Sequence, residues 1–140
     1  MRRTLAFTFM FALSACATDL PVIGAGSCAY PGAKTMLVAE LAFGRNVKGG
    51  PGVSDNDWAQ FQRETLSRQF PDGMTVQDAE GEWADPRAKQ LVREPTKWVK
   101  LALPDTPASL QAIRTATETY KRRFGQDSVL VITNQRCVAF

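Results

Sequence analysis

Histidine is missing from all 140 residues. Its absence removes the commonest general base and the commonest metal ligand. Cysteine is scarce, with three residues, and no cysteine spacing suits zinc. No glycine-rich loop has the dinucleotide or Walker form. Gly44, Gly49, Gly50 and Gly52, with Asn46 and Pro51, read as a flexible loop instead. Asp55, Asp57, Asp72 and Asp78 are too scattered for a calcium loop. These absences leave no expected metal and no expected cofactor. The apolar run Leu5 to Leu13 is short of the roughly 20 residues a membrane span needs.

That run has a different use. Arg2 and Arg3 precede it, and Leu13-Ser14-Ala15-Cys16 closes it. A basic start, an apolar stretch and small residues make a secretory signal. A cysteine at the cleavage point resembles the lipobox of bacterial lipoproteins. The resemblance implies cleavage before Cys16 and lipid on its thiol. Residues 1–15 are then a signal peptide, and 16–33 a lipidated tether rich in glycine and proline. Ala17 follows the cysteine, where aspartate would favour the inner membrane of enteric-type bacteria. In a Gram-negative host the expected address is the periplasmic side of the outer membrane.

Losing the leader removes Arg2 and Arg3 and no acid, so the net charge falls from +3 to +1. A near-neutral mature chain argues against nucleic acid as partner. Lipid takes one cysteine, and Cys28 and Cys137 remain as an even pair in an oxidising compartment. Residues 34–140 suit one domain with one core.

Within that domain the pattern alternates at Thr35 to Gly44, which predicts a strand. Ser54 caps a helix carrying Trp58, Phe61, Thr65 and Leu66, and Phe70-Pro71-Asp72-Gly73 stops it. Met74 to Ala79 is a second strand, with a turn at Glu80-Gly81, a short return at Glu82-Trp83 and a loop from Asp85. Thr96 to Leu103 is the third. Thr106-Pro107 opens a second helix with a stripe of Leu110, Ile113, Thr117, Tyr120 and Phe124, ended by Gly125. Ser128 to Thr133 is the fourth strand. The order β-α-β-β-α-β predicts a ferredoxin-like α+β fold: a four-stranded antiparallel sheet with two helices on one face. In that arrangement the first strand lies between the third and fourth. The start of one and the end of the other then meet, which places Cys28 beside Cys137 for a disulfide.

Several motifs occur together: Glu40-Leu41-Ala42-Phe43-Gly44-Arg45, Phe70-Pro71-Asp72-Gly73-Met74-Thr75-Val76, Arg93-Glu94-Pro95-Thr96-Lys97 and Tyr120 through Leu130. Together they resemble an uncharacterised family of small bacterial envelope proteins, a domain of unknown function. The resemblance covers most of residues 35–140. It implies secretion and a small α+β domain, and it carries no catalytic assignment.

The predicted topology gathers Arg45, Glu94, Lys97, Gln126, Asp127 and Ser128 at one sheet end. Such a mixed-sign cluster suits an anionic or zwitterionic ligand, with Arg45 as a planar fork. The alternative is a set of loop-closing ion pairs. A second candidate is the uncovered sheet face, with Glu40, Trp98 and Lys100 among Met36, Val38, Ala42 and Ala102. That face suits a homodimer, an envelope protein partner or the tether itself. Glu40 and Lys100 also suit a cross-strand pair. Lys121, Arg122 and Arg123 complement the negative end of their helix.

The expected function is a non-catalytic ligand- or protein-binding module held at a membrane through Cys16. One alternative is a small cofactor-independent enzyme with a pocket on the open sheet face of a dimer. With no histidine, Glu40 or Asp127 would act as base. Another is an inhibitor or accessory subunit of a secreted protein.

Overall fold

A computed structural model of the chain describes residues 28–47, 50–85 and 89–140. The signal peptide, Cys16 and most of the tether lie outside the described residues. Strand β1, Lys34–Gly44, buries Leu37, Ala39, Leu41 and Phe43 and leaves the alternate residues partly exposed. Side chains of a strand alternate between faces, so one face of β1 is core and the other is open. Helix α1, Asp55–Phe61, runs through a π turn, Gln62–Leu66, into a last turn at Ser67–Gln69. Strands β2, Thr75–Asp85, and β3, Gln90–Leu103, form a long hairpin. Helix α2, Pro107–Phe124, and strand β4, Leu130–Val138, complete the chain.

The four strands make one sheet in the order β2-β3-β1-β4, every neighbouring pair antiparallel. Both helical segments pack on the same sheet face. Trp58, Phe61 and Leu66 from the first, with Ile113, Ala116 and Tyr120 from α2, join Leu41, Phe43, Val99 and Leu101 in one core. The fold is α+β.

Local chemistry explains where the helices start and stop. Ser54 Oγ accepts from the Asp57 amide at 3.1 Å, and Asp57 accepts from the Ser54 amide at 3.2 Å. This reciprocal box satisfies two otherwise unpaired donors. The Ser54 hydroxyl also donates to the Asp57 carboxylate at 2.5 Å, and this bond, with the one from the Ser54 amide, holds the Asp57 carboxyl below its ordinary range. Thr106 caps α2 through the Ser109 amide, and Pro107 occupies its first turn. Gly125, at φ 64°, ends it in the left-handed conformation that glycine adopts without strain. The π turn has a packing reason. Phe61 and Leu66 are five residues apart, which an unbroken α-helix would turn to different sides; the wider turn lets both reach the core.

Three features differ from the sequence reading. The predicted turn at Glu80-Gly81 is strand interior, because the hairpin runs on to Asp85 and returns from Gln90. Gly81 is there for a close approach: a Cβ would meet Thr96 Oγ1 at 3.0 Å. Strand β4 starts later than expected and continues through Cys137. Leu110, placed in the inward stripe of α2, is 50% exposed, and Ala116 takes its place in the core.

Cys28 and Cys137 form a disulfide, with Cα atoms 5.5 Å apart. The β1–β4 ladder explains why they meet. Thr35 pairs with Cys137, so the residues just before β1 lie beside the end of β4.

Candidate functional site

Beyond Gly44, β1 ends while the β2–β3 hairpin continues. The ladder from Glu80 opposite Pro95 to Asp85 opposite Gln90 therefore projects past the sheet. On the open face this overhang forms one wall of a groove of about 890 Å³. Ala42, Gly44, Thr96 and Trp98 line its floor. Trp83 and Val92 stand on the hairpin side, and Asn46, Gly125, Gln126, Asp127, Ser128 and Leu130 on the other.

Glu94 sits over the floor. Its carboxylate lies against Gly44, where a Cβ would come within 2.6 Å of Oε2. Only a residue with no side chain leaves this space for Glu94. The carboxylate also accepts from the Asn46 amide at 3.2 Å. Asn46 ties the rim together: its Nδ2 donates to the Arg93 carbonyl at 3.1 Å, and its own carbonyl accepts from Gln126 Nε2 at 2.6 Å. Beneath the floor, the Tyr120 hydroxyl donates to the Gly44 carbonyl at 2.9 Å. Burial pushes the Tyr120 hydroxyl well above its ordinary range, with the Arg45 charge opposing and the Glu94 charge adding. Tyr120 is thus a permanent donor, linking the aromatic core to the groove.

The residues predicted at this sheet end divide between its two faces. Glu94, Gln126, Asp127 and Ser128 line the groove. Lys97 does not: it pairs in register with Phe43 and shares the helix-side face, where its ammonium meets Asp78. Arg45 also turns to the helix side. Its Nε donates to the Val53 carbonyl at 2.7 Å and its guanidinium meets Asp55 at 2.9 Å. Arg45 and Val53 also exchange a backbone bond at 2.8 Å, which closes the loop between them. The guanidinium is therefore a loop clasp and no fork for an anion in the groove. Replacing Arg45 by alanine is expected to cost about 1.5–3 kcal/mol, the range for a hydrogen bond to a charged group. Urea denaturation measures it; an unchanged midpoint would show that the clasp is dispensable.

The second predicted constellation, Glu40, Trp98 and Lys100, comes together on the open face. Trp98 Nε1 donates to Glu40 at 3.0 Å, and Lys100 lies 3.6 Å from the same carboxylate. Glu40 and Lys100 are direct cross-strand partners. Because Trp98 also lines the groove, Glu40 fixes a ring at its edge.

The sequence pattern gives no sign of Trp83, Asp85 and Val92 as groove residues. Continued alternation past Gly81 was the available signal, hidden by reading that glycine as a turn. Glu82 is paired with Arg93 at 2.6 Å across the hairpin. Among the described residues, no group of three or more histidine, cysteine or acidic residues could hold a metal. No described helix is long and apolar enough to cross a membrane.

Comparison with solved structures finds a likeness of fold to a phage SAM lyase in complex with S-methyl-5'-thioadenosine. The TM-score is 0.57 at 16% identity, over 74% of this chain and 90% of that one. The apo state of a phage SAM lyase is similar at TM-score 0.54 and 16% identity, over 76% and 92%. No curated protein matches the sequence. A family model described as a protein of unknown function, DUF3574, matches residues 38–140, and the chain belongs to that family.

Proposed function

We propose that the chain is a ligand-binding module of the cell envelope, anchored through lipid on Cys16, whose groove takes a flat, positively charged small molecule. One observation carries the reading of the site. Among the described residues, Asp85, Glu94 and Asp127, with Trp83 and Trp98, line the groove on the open face, and no lysine or arginine does. Carboxylates lower the energy of a cation, and an indole face attracts one within about 6 Å of its centre. The groove is also within the size range of ligand pockets, roughly 300–1,000 Å³. The basic start, apolar run and Leu13-Ser14-Ala15-Cys16 support the envelope address. The strand order, with both helices on one face, supports the ferredoxin-like arrangement.

A small cofactor-independent enzyme is the second reading. The likeness of fold to a SAM lyase favours it, since that protein holds an adenosine thioether.

Calorimetric titration of the full chain with S-adenosylmethionine and S-methyl-5'-thioadenosine tests both. The two probes share adenosine, and only the first carries a sulfonium. Tighter binding of the sulfonium is expected. Glu94→Gln should weaken it about tenfold, or ~1.4 kcal/mol, and leave the thioether unchanged. Failure of both probes to bind, or equal weakening of both by Glu94→Gln, would overturn the cation reading. Conversion of one probe into the other during the titration, read by chromatography, would select the enzyme.

A further inference from the structure

Strand β4 is an outer strand of the sheet. Its Leu130, Val131 and Ile132 are 51%, 42% and 39% exposed. Leu130 and Ile132 face the open side with their ladder partners Ala42 and Glu40, and Val131 faces the helix side with Leu41. The apolar row thus shows on both faces of an edge that has no second ladder partner among the described residues. Edge strands are ordinarily protected by proline, lysine or a bulge. Leu130–Val138 contains neither residue, and its ladder to β1 runs unbroken from Lys34 opposite Val138 to Ala42 opposite Leu130.

We propose that β4 pairs antiparallel with β4 of a second copy, about a two-fold axis through Val131. The two sheets become one of eight strands, with both open faces on the same side. Symmetry selects this register. A two-fold axis normal to the sheet sets residues of the same face against each other, so it must pass through a residue. Centred on Val131, it places Leu130 opposite the partner's Ile132, Val131 opposite the partner's Val131, and Val129 opposite the partner's Thr133. Every exposed apolar side chain then meets an apolar one. Such cross-strand apolar pairs stabilise a sheet. An axis through Ile132 sets Leu130 against an asparagine. An axis through Asn134 pairs the whole strand, but sets Ile132 against an arginine and Val131 against the disulfide-bonded Cys137.

The pairing also changes the groove. Leu130 lines it, so the partner's Ile132 stands beside that wall. Each copy completes the apolar rim of the other's site.

Single cysteines read the register directly. A disulfide requires Cα atoms within about 7 Å, which opposed strand residues satisfy. Purified full-length Val131→Cys should form a covalent dimer under mild oxidation, seen on a non-reducing gel. Asn134→Cys and the wild-type chain should not, and the wild type controls for bridges through Cys16. Sedimentation velocity should show a wild-type dimer that Val131→Arg converts to monomer, with the melting temperature of each variant reporting that it is folded. A wild-type chain that stays monomeric over the whole concentration series overturns the proposal. So does cross-linking of Asn134→Cys in preference to Val131→Cys, or a folded Val131→Arg variant that remains a dimer.

Discussion

Replacing both Cys28 and Cys137 by serine lowers the stability of the domain by about 4–5 kcal/mol in the chain-entropy account. The size follows from the loop: the bridged residues are 109 apart in sequence, so the bond restricts nearly the whole unfolded chain. The native side has its own reason to depend on the bond. Strand β4 is exposed along almost all its length and brings little apolar surface to the core. Backbone pairing with β1, the bridge and a hydrogen bond from Gln135 to Asp105 are what hold it. At roughly 4–8 °C per kcal/mol, the melting temperature should fall by at least about 15 °C. Urea denaturation of the double serine variant against the oxidised wild type measures the difference. A loss under about 1 kcal/mol would mean that the constraint is already supplied by β1–β4 pairing.

The second large effect lies in the aromatic core. Phe43→Ala should cost about 3–5 kcal/mol, the range for truncating a buried phenylalanine. Phe43 is fully buried, and its ring lies 5.4 Å from Trp58, 5.8 Å from Phe61 and 4.8 Å from Tyr120 between centroids. Edge-on contacts of this kind add to simple burial. No neighbour can collapse into the space without breaking another ring contact. Leu110→Ala, on the exposed side of α2, should stay within about 0.5 kcal/mol. Equal losses from the two variants would contradict the core assignment.

Strand positions in the first half of the sheet were legible because β1 alternates cleanly. Leu37, Ala39, Leu41 and Phe43 point one way, and the polar Glu40 stands among the residues pointing the other. Helix limits were legible because Ser54, Thr106, Pro107 and Gly125 have one obvious role each. The hairpin was not. Glycine serves both turns and close packing, and sequence alone does not distinguish Gly81 beside Thr96 from a glycine at a bend. That ambiguity hid the groove wall, with Trp83 and Val92. The charge cluster was legible as a place but not as a site. Sheet topology brings Arg45, Lys97 and Glu94 to one end; strand parity then sends the two cations to one face and Glu94 to the other. Open-face neighbours Glu40, Trp98 and Lys100 were legible because parity and register were both correct there.

The position of β1 has a consequence for synthesis. Among the described residues it is the first strand made, and it occupies the middle of the sheet, yet no residue of β1 has a ladder partner before Thr96. While the intervening segment emerges, its apolar side chains have only the first helix to shelter them. Long-range pairing of this kind slows folding and leaves sticky intermediates exposed. Cys28 faces the same wait, since its sulfur partner belongs to the last strand. A nascent chain threading out in order must therefore carry an open thiol and an uncovered strand until β3 and β4 arrive. Protection by a holding chaperone and a thiol that resists premature oxidation become requirements of this topology.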